Sequence, residues 1–433
     1  MKAAWSVAVF LLTPLAGQGK VDYQADCKFA IEAIEQQCKT LLGSKKIDWR
    51  KATAPLLAES KKTKTHEAHL LLLWRLLARL HDGHAEVRAL EAGKGVKLDV
   101  PERLFAPGLF LCRTAGHVYV KNAWGPAAAS GLTPGLEVVT IGGKSAEAWL
   151  QQRTEELADL VSFSTPQQAM FFTTHQGLAD VAGTRLELEC KDGSTKKKRT
   201  IAYEKGNQTP PGPAFPPANL KGQQDVFYGT TAAGCGYVHV RRCKDDLPAQ
   251  MDEALAALGD VPGMILDFRG NSGGGCDHEA LFGRFLPAGT KWQVGSGYTS
   301  SGPKPYGGPL LVIVDGTVRS AGETAAGMFT EDGRAYSIGE SATAGMSSQK
   351  TTIKLPSKLF ELYVSVASNK ARFQGGKGLE GVGLQPHELV AFDPVDLAQQ
   401  RDTLICRAEA LLAAFPQHKV RYDPSQHGWS PKK

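Results

Sequence analysis

The chain has 433 residues, 42% of them hydrophobic and 22% charged, the balance of a soluble globular protein with room for about two to four domains. Fifty Lys and Arg against 44 acidic residues leave a formal charge of +6. That excess is too small to argue for a nucleic-acid partner, which needs basic residues gathered on one face.

At the N-terminus, Lys2 precedes a short apolar run over 3–16, and the small residues Ala16, Gly17 and Gly19 follow. This is the grammar of a signal peptide over 1–19, and the run falls short of the roughly 20 residues that span a bilayer. Gln18 stands where a lipid-anchored form would carry cysteine, so the expectation is an exported protein, periplasmic or extracellular, with no stable membrane anchor. Eight cysteines suit an oxidising compartment. None forms a CxxC pair, so zinc or thioredoxin chemistry is poorly supported. Cys112 and Cys190 make a reasonable disulfide, with free buried thiols as the alternative.

Helices are predicted over 22–42 and 66–81; in the second, Leu70, Leu73, Trp74, Leu77 and Leu80 recur at helical spacing. The pattern stops at His81-Asp82-Gly83-His84, where Gly83 is a natural terminator. Residues 20–104 therefore read as a helical domain. Over 105–205 the signal changes to strands, at Val118-Tyr119-Val120 and from Leu136 to Ile141. Between them, Gly125-Pro126-Ala127 through Thr133-Pro134-Gly135 resembles the short helix and tight turn of a PDZ domain. Gly142-Gly143-Lys144 then turns a hairpin, and a helical insertion is expected near 145–180. On that resemblance Gly108, Leu109 and Phe110 are candidates for a peptide-binding loop that cradles the terminal carboxylate of a polypeptide, against the plainer reading of a turn before a strand. Lys196-Lys197-Lys198-Arg199 reads as a solvated hairpin tip after Asp192-Gly193-Ser194. A Pro- and Gly-rich linker follows over 206–225. From 226 to 433, short apolar runs (237–240, 263–268, 310–314) alternate with helical segments (247–258, 277–286), which argues for an α/β core.

Two strand ends in this core carry chemistry. Asp267-Phe268-Arg269-Gly270-Asn271-Ser272-Gly273-Gly274-Gly275 leads from a strand into a glycine loop whose N–H groups suit an anion or an oxyanion. It lacks the Gly-Lys-Ser/Thr of a phosphate-binding loop. In the second, Ser320 lies between the apolar strand 310–314 and a predicted helix over 323–330. A serine there is either a plain N-cap or a hydroxyl aimed at a positive helix end.

Taken in order, these motifs, then Gly339-Glu340 and Glu380-Gly381-Val382-Gly383-Leu384-Gln385-Pro386, resemble the carboxy-terminal-processing and tricorn protease core family of serine peptidases. The resemblance runs over roughly 66–390. It implies a crotonase-like α/β catalytic core with an N-terminal helical domain and an inserted PDZ-like β domain, acting on polypeptide without metal or cofactor. Ser320 matches the nucleophile. In one branch a lysine activates it, but Gly345 occupies that place and Lys350 does not fit. The tricorn-like branch uses a histidine and a glutamate, which match His84 and Glu380; imidazole suits proton removal and return near neutral pH. His81 is the nearby competitor. The N–H groups of Ala321 and of Gly273 or Gly274 would form the oxyanion hole. Arg269 and Asn271 read as loop supports, and His278 is left without a role. His387 stands where the family commonly has aspartate. A rival reading keeps the fold but makes Ser320 incidental: the core also resembles interphotoreceptor retinoid-binding modules, which carry apolar ligands.

Overall fold

The computed structural model describes residues 21–208, 212–223, 225–293, 297–369 and 372–415. The expected signal peptide over 1–19 lies outside them. No helix among the described residues is long and apolar enough to cross a membrane.

Four helices open the fold: Tyr23–Gln37, Lys39–Ser44, Trp49–Ser60 and His66–Ala78. Asp22, Asp48 and Thr65 cap three of them by accepting from N–H groups three residues on. The helix expected to run unbroken over 22–42 is interrupted at Cys38, whose φ of −100° and ψ of 14° leave the helical well. The segment Trp49–Ser60 has no clear apolar period and carries Pro55, so its sequence does not announce a helix. Ile34, Leu56, Leu73 and Leu77 pack in one core with Ile353, Leu362 and Val364. Those last residues belong to an antiparallel sheet in which Phe360–Ser368 lies between Glu86–Ala89 and Ser348–Lys354. The N-terminal helices thus complete a core supplied by a segment some 300 residues further on.

Residues 105–205 form a separate sheet with Leu109–Thr114 at its edge, followed by His117–Ala123, Glu137–Ile141, Arg185–Asp192 and Thr195–Ala202. Helices Ala146–Ala158 and Pro166–Thr174 fill the expected insertion. The basic run Lys196–Arg199 lies along the body of the last strand rather than at its tip, because Gly193, at φ 59°, makes the turn before it. All eight cysteines are free thiols. Cys112 and Cys190 do not pair: they belong to different hydrophobic cores.

The third unit is a seven-stranded sheet in the order Lys221–Gln223, Val226–Thr230, Gly236–Val240, Met264–Asp267, Leu310–Val314, Tyr336–Gly339 and Glu388–Leu389. The last five run parallel. Gly236–Val240, Met264–Asp267 and Leu310–Val314 are buried at every position, which explains why they are apolar apart from His239 and Asp267. The glycine loop and Ser320 follow the carboxyl ends of the adjacent strands Met264–Asp267 and Leu310–Val314, where open α/β sheets place their ligands.

Candidate active site

Ser320 caps the helix Ala321–Glu331 with φ 57° and ψ −124°, a conformation that non-glycine residues avoid. Its N–H is held twice, by the Met346 carbonyl at 2.8 Å and the Glu323 carboxylate at 3.2 Å. Glu323 is fully buried and also accepts from the Thr343 hydroxyl and from the N–H groups of Gly345 and Met346. Burial pushes its carboxyl up to about 8, while those donors pull it back toward the charged form. One buried side chain therefore fixes both the serine and the loop behind it.

The glycine loop presses on Ser320 from the other side. A Cβ on Gly273 would lie 2.6 Å from Ser320 Cβ and 3.2 Å from its Oγ. The Gly273 N–H donates to the Asn271 carboxamide at 2.8 Å and is therefore already engaged within its own loop. Asn271 also donates to the Val240 carbonyl. Arg269 is buried between Asp267 and Asp402, anchoring the loop as expected.

His84 comes from the turn between His66–Ala78 and Glu86–Ala89, and pairing of the latter with Phe360–Ser368 sets its height. Gly83 packs closely there: a Cβ would lie 2.6 Å from Met346 Sδ, so a larger residue would have to displace the Met346 side chain. His84 and Ser320 line one cleft of about 690 Å³, with Trp74, Met346 and Lys350 also on its wall. The two are not hydrogen-bonded to each other; instead, His84 Nδ1 lies 3.2 Å from Ser348 Oγ. Ser348 Oγ lies 2.6 Å from Ser365 Oγ, and Ser365 donates to Asp82 at 2.8 Å. An ionised Asp82 only accepts, so the Ser365 proton is spent on it. Ser348 must then donate to Ser365, and His84 Nδ1–H to Ser348. This relay fixes the tautomer, leaving the lone pair on Nε2.

Glu380 is also buried, with Oε1 taken by Lys45 at 2.8 Å and Ser164 at 3.3 Å. Its Oε2 has no partner among the described residues. Asp82, His84 and Glu380 each bring one donor atom within 4.8 Å of the others. Burial raises the Glu380 carboxyl, and Lys45 opposes it. Burial, with the cations Lys350, Arg319 and Lys45, lowers His84 to about 4, against the pull of Asp82. His81 is exposed at φ 48° and offers its carbonyl to Lys45.

Of the other sequence candidates, Leu109 and Phe110 are buried, at 1% and 4% exposure, and Gly108 turns at φ 72° with its carbonyl taken by the Trp124 N–H. They lie outside the Ser320 cleft. His387 Nδ1 accepts from the Ser337 N–H at 3.0 Å, a loop-holding contact far from the reacting groups. Sequence reasoning misses Asp82, Ser348, Ser365, Lys45 and Glu323. Only two offer a local signal: Asp82, two residues before His84, and Glu323, which completes a Ser-x-x-Glu capping-box pattern with Ser320.

Residues 234–390 match the family model for peptidase family S41. Those residues, which hold the glycine loop, Ser320 and Glu380, thus form a peptidase S41 domain. The S41 core and its flanking units are similar in fold to mature CPAF complexed with lactacystin, at 11% identity over 90% of this chain and 98% of that one, with a TM-score of 0.63. Mature CPAF alone gives 12% identity, 90% and 97% coverage and 0.63. The photosystem II D1 C-terminal processing protease gives 20% identity, 86% and 94% coverage and 0.42. No curated protein matches the sequence. The protein is a serine-type peptidase, a hydrolase.

Proposed function

We propose that this is an exported serine endopeptidase in which Ser320 is the nucleophile, His84 the general base and Glu380 the group that stabilises the charged imidazole. The observation that carries the reading is the single cleft lined by both Ser320 and His84, with the serine at a positive φ over a helix N-terminus. Strain of this kind persists only where the surroundings over-determine it, and it clusters at sites of chemistry.

In the acylation step the Ser320 Oγ–carbon bond forms as the carbonyl π bond opens onto oxygen, and His84 Nε2 takes the hydroxyl proton. The Ala321 and Gly274 N–H groups receive the oxyanion. Collapse breaks the C–N bond, and the imidazolium returns its proton to the leaving amine. Water then repeats the sequence on the ester. A carboxylate oxygen of Glu380 within 4.8 Å of a His84 ring nitrogen attracts the ring only when it is protonated, so its stabilisation is specific to the charged states. Apo catalytic pairs are often loose and tighten around substrate, which His84 must do toward Ser320.

The sheet over 109–202 fits the role of a PDZ-like module, with Leu109–Thr114 as its edge strand. The parallel sheet suits a crotonase-like core. A carrier of apolar ligands has no use for a buried Asp82–His84–Glu380 group beside a strained serine. A serine-directed phosphonate probe tests the reading: mass mapping is expected to place the adduct on Ser320, with labelling lost in Ser320→Ala and slowed in His84→Ala. Absence of labelling together with uptake of an apolar fluorophore would support the carrier instead.

A further inference from the structure

Beside the oxyanion loop, and outside the proposed machinery, lies a second cluster. Cys243 follows the strand Gly236–Val240, while Cys276 and His278 follow the glycine loop. The fold brings one donor atom from each within 4.8 Å of the other two. Cys243 is fully buried, and Cys276 and His278 are half-buried, so the cluster has a closed floor and an open side. Both thiols are free.

We propose that Cys243, Cys276 and His278 bind one thiophilic divalent ion of the zinc class, with a fourth position open to solvent. Zn–S distances of about 2.3 Å and Zn–N distances of about 2.0 Å put tetrahedral ligands roughly 3.5–3.8 Å apart. The cluster is thus within about an ångström of closure. Two sulfurs and an imidazole nitrogen select zinc over calcium or magnesium, which take oxygen ligands. The His278 ring is already set for this task. Its Nε2–H donates to the Ala321 carbonyl at 3.1 Å, which leaves Nδ1 unprotonated. Bonding of the second ring nitrogen to a backbone carbonyl is the usual support of a metal-bound histidine.

The ion would share its scaffold with the oxyanion loop. The Cys243 N–H donates to the Gly273 carbonyl at 3.0 Å, and the Cys243 carbonyl accepts from Gly275 at 2.6 Å. Loading therefore reaches the glycine loop through Cys243 and the start of the Ser320 helix through His278. Cysteine spacing alone gives no hint of the site, because its ligands are joined by the fold and not by a CxxC motif.

The test uses the full-length protein, reduced and stripped with a chelator, then titrated with Co²⁺ as a spectroscopic stand-in. One equivalent is expected to give an intense near-ultraviolet thiolate-to-cobalt charge-transfer band, displaced by equimolar Zn²⁺. Cys276→Ser and His278→Gln, at half-buried positions, are expected to fold and to weaken binding at least about tenfold. Cys243→Ser is a secondary variant, since that side chain belongs to the core. Ser320→Ala should bind as wild type does, which separates this proposal from the assignment of the nucleophile. Cobalt binding without a thiolate band would point to the oxygen-rich group at Asp82, His84 and Glu380 and overturn the proposal. So would an undiminished band in Cys276→Ser, or a Cys243–Cys276 disulfide in the protein as isolated.

Discussion

Replacing Ser320 by glycine should stabilise the fold while abolishing activity, and the structure gives the size of the effect. Ser320 sits at φ 57° and ψ −124°, where a Cβ is strained by about 1–3 kcal/mol. Glycine removes that Cβ but adds about 0.5–1 kcal/mol of backbone entropy to the cost of folding. Any capping by the serine hydroxyl is worth only a few tenths of a kcal/mol against glycine, so about 1 kcal/mol of net stabilisation remains. Ser320→Ala is the necessary control: it loses the same hydroxyl but keeps the Cβ and its strain. Urea midpoints of the two variants, measured with unchanged m values, isolate the backbone term. Ser320→Gly should unfold at higher urea than Ser320→Ala, and neither should react with a phosphonate probe. A glycine variant no more stable than the alanine one would show that the backbone at 320 is relaxed, removing the strongest structural argument for a special serine.

Other outcomes follow from neighbouring contacts. Gly273→Ala puts a methyl 2.6 Å from Ser320 Cβ at a position with φ 83°; kcat/KM on a fluorogenic peptide should fall by about 100-fold or more, and retention of activity would contradict the packing described. With His84 held near 4, the acid limb of kcat/KM should appear around pH 4 rather than at the 6–7.5 expected of an ordinary imidazole. Lys350→Gln should move that limb upward by removing a repelling cation, whereas a limb at pH 8–9 that vanishes in this variant would make Lys350 the base. The same shift fixes a stability slope. Between pH 6.5 and about 4 the unfolded imidazole binds the proton that the folded one refuses, so stability falls as pH drops through that window, and His84→Gln should flatten the slope. Glu323→Ala leaves the Thr343 hydroxyl and the Gly345 and Met346 N–H groups without their acceptor; at about 1–3 kcal/mol for each orphaned donor the loss is at least about 3 kcal/mol, read as a lowered urea midpoint.

Much of the catalytic core was legible in the sequence because its strands are buried on both faces and its loops are written in glycine. The runs at 237–240, 264–267 and 310–314, apolar apart from His239 and Asp267, read as buried strands, and Ser320 had to sit beyond one of them. The supports of the site were not legible, for a physical reason. Ser348 and Ser365 meet only because two antiparallel strands pair in a register that sets Lys350 opposite Ser365, across a bulge at Gln349 and Lys350. Lys45 reaches Glu380 only because the broken helix at Cys38 turns Lys39–Ser44 toward the cleft. Serines and lysines carry no periodicity, so their partners emerge from tertiary pairing alone. The trio Cys243, Cys276 and His278 was hidden in the same way.

The nucleophile and its base are held by two networks that share one short run of backbone. Met346 receives the Ser320 N–H on its carbonyl and packs its side chain against Gly83 in the His84 turn. Two residues later, Ser348 holds His84 Nδ1. Residues 346–348 are all buried, so this stretch cannot yield to solvent without breaking both networks. Its consequence is that Ser320 and His84 do not move independently: closing the gap between them requires rotation of the imidazole about its Ser348 contact, or a shift of the whole strand start. The first route preserves the Asp82–Ser365–Ser348 relay and the Nδ1–H tautomer, and it is cheaper because no backbone hydrogen bond is lost. Ser348→Ala should therefore lower kcat more than it raises KM, since it frees the ring to adopt the wrong tautomer without touching the cleft that receives substrate.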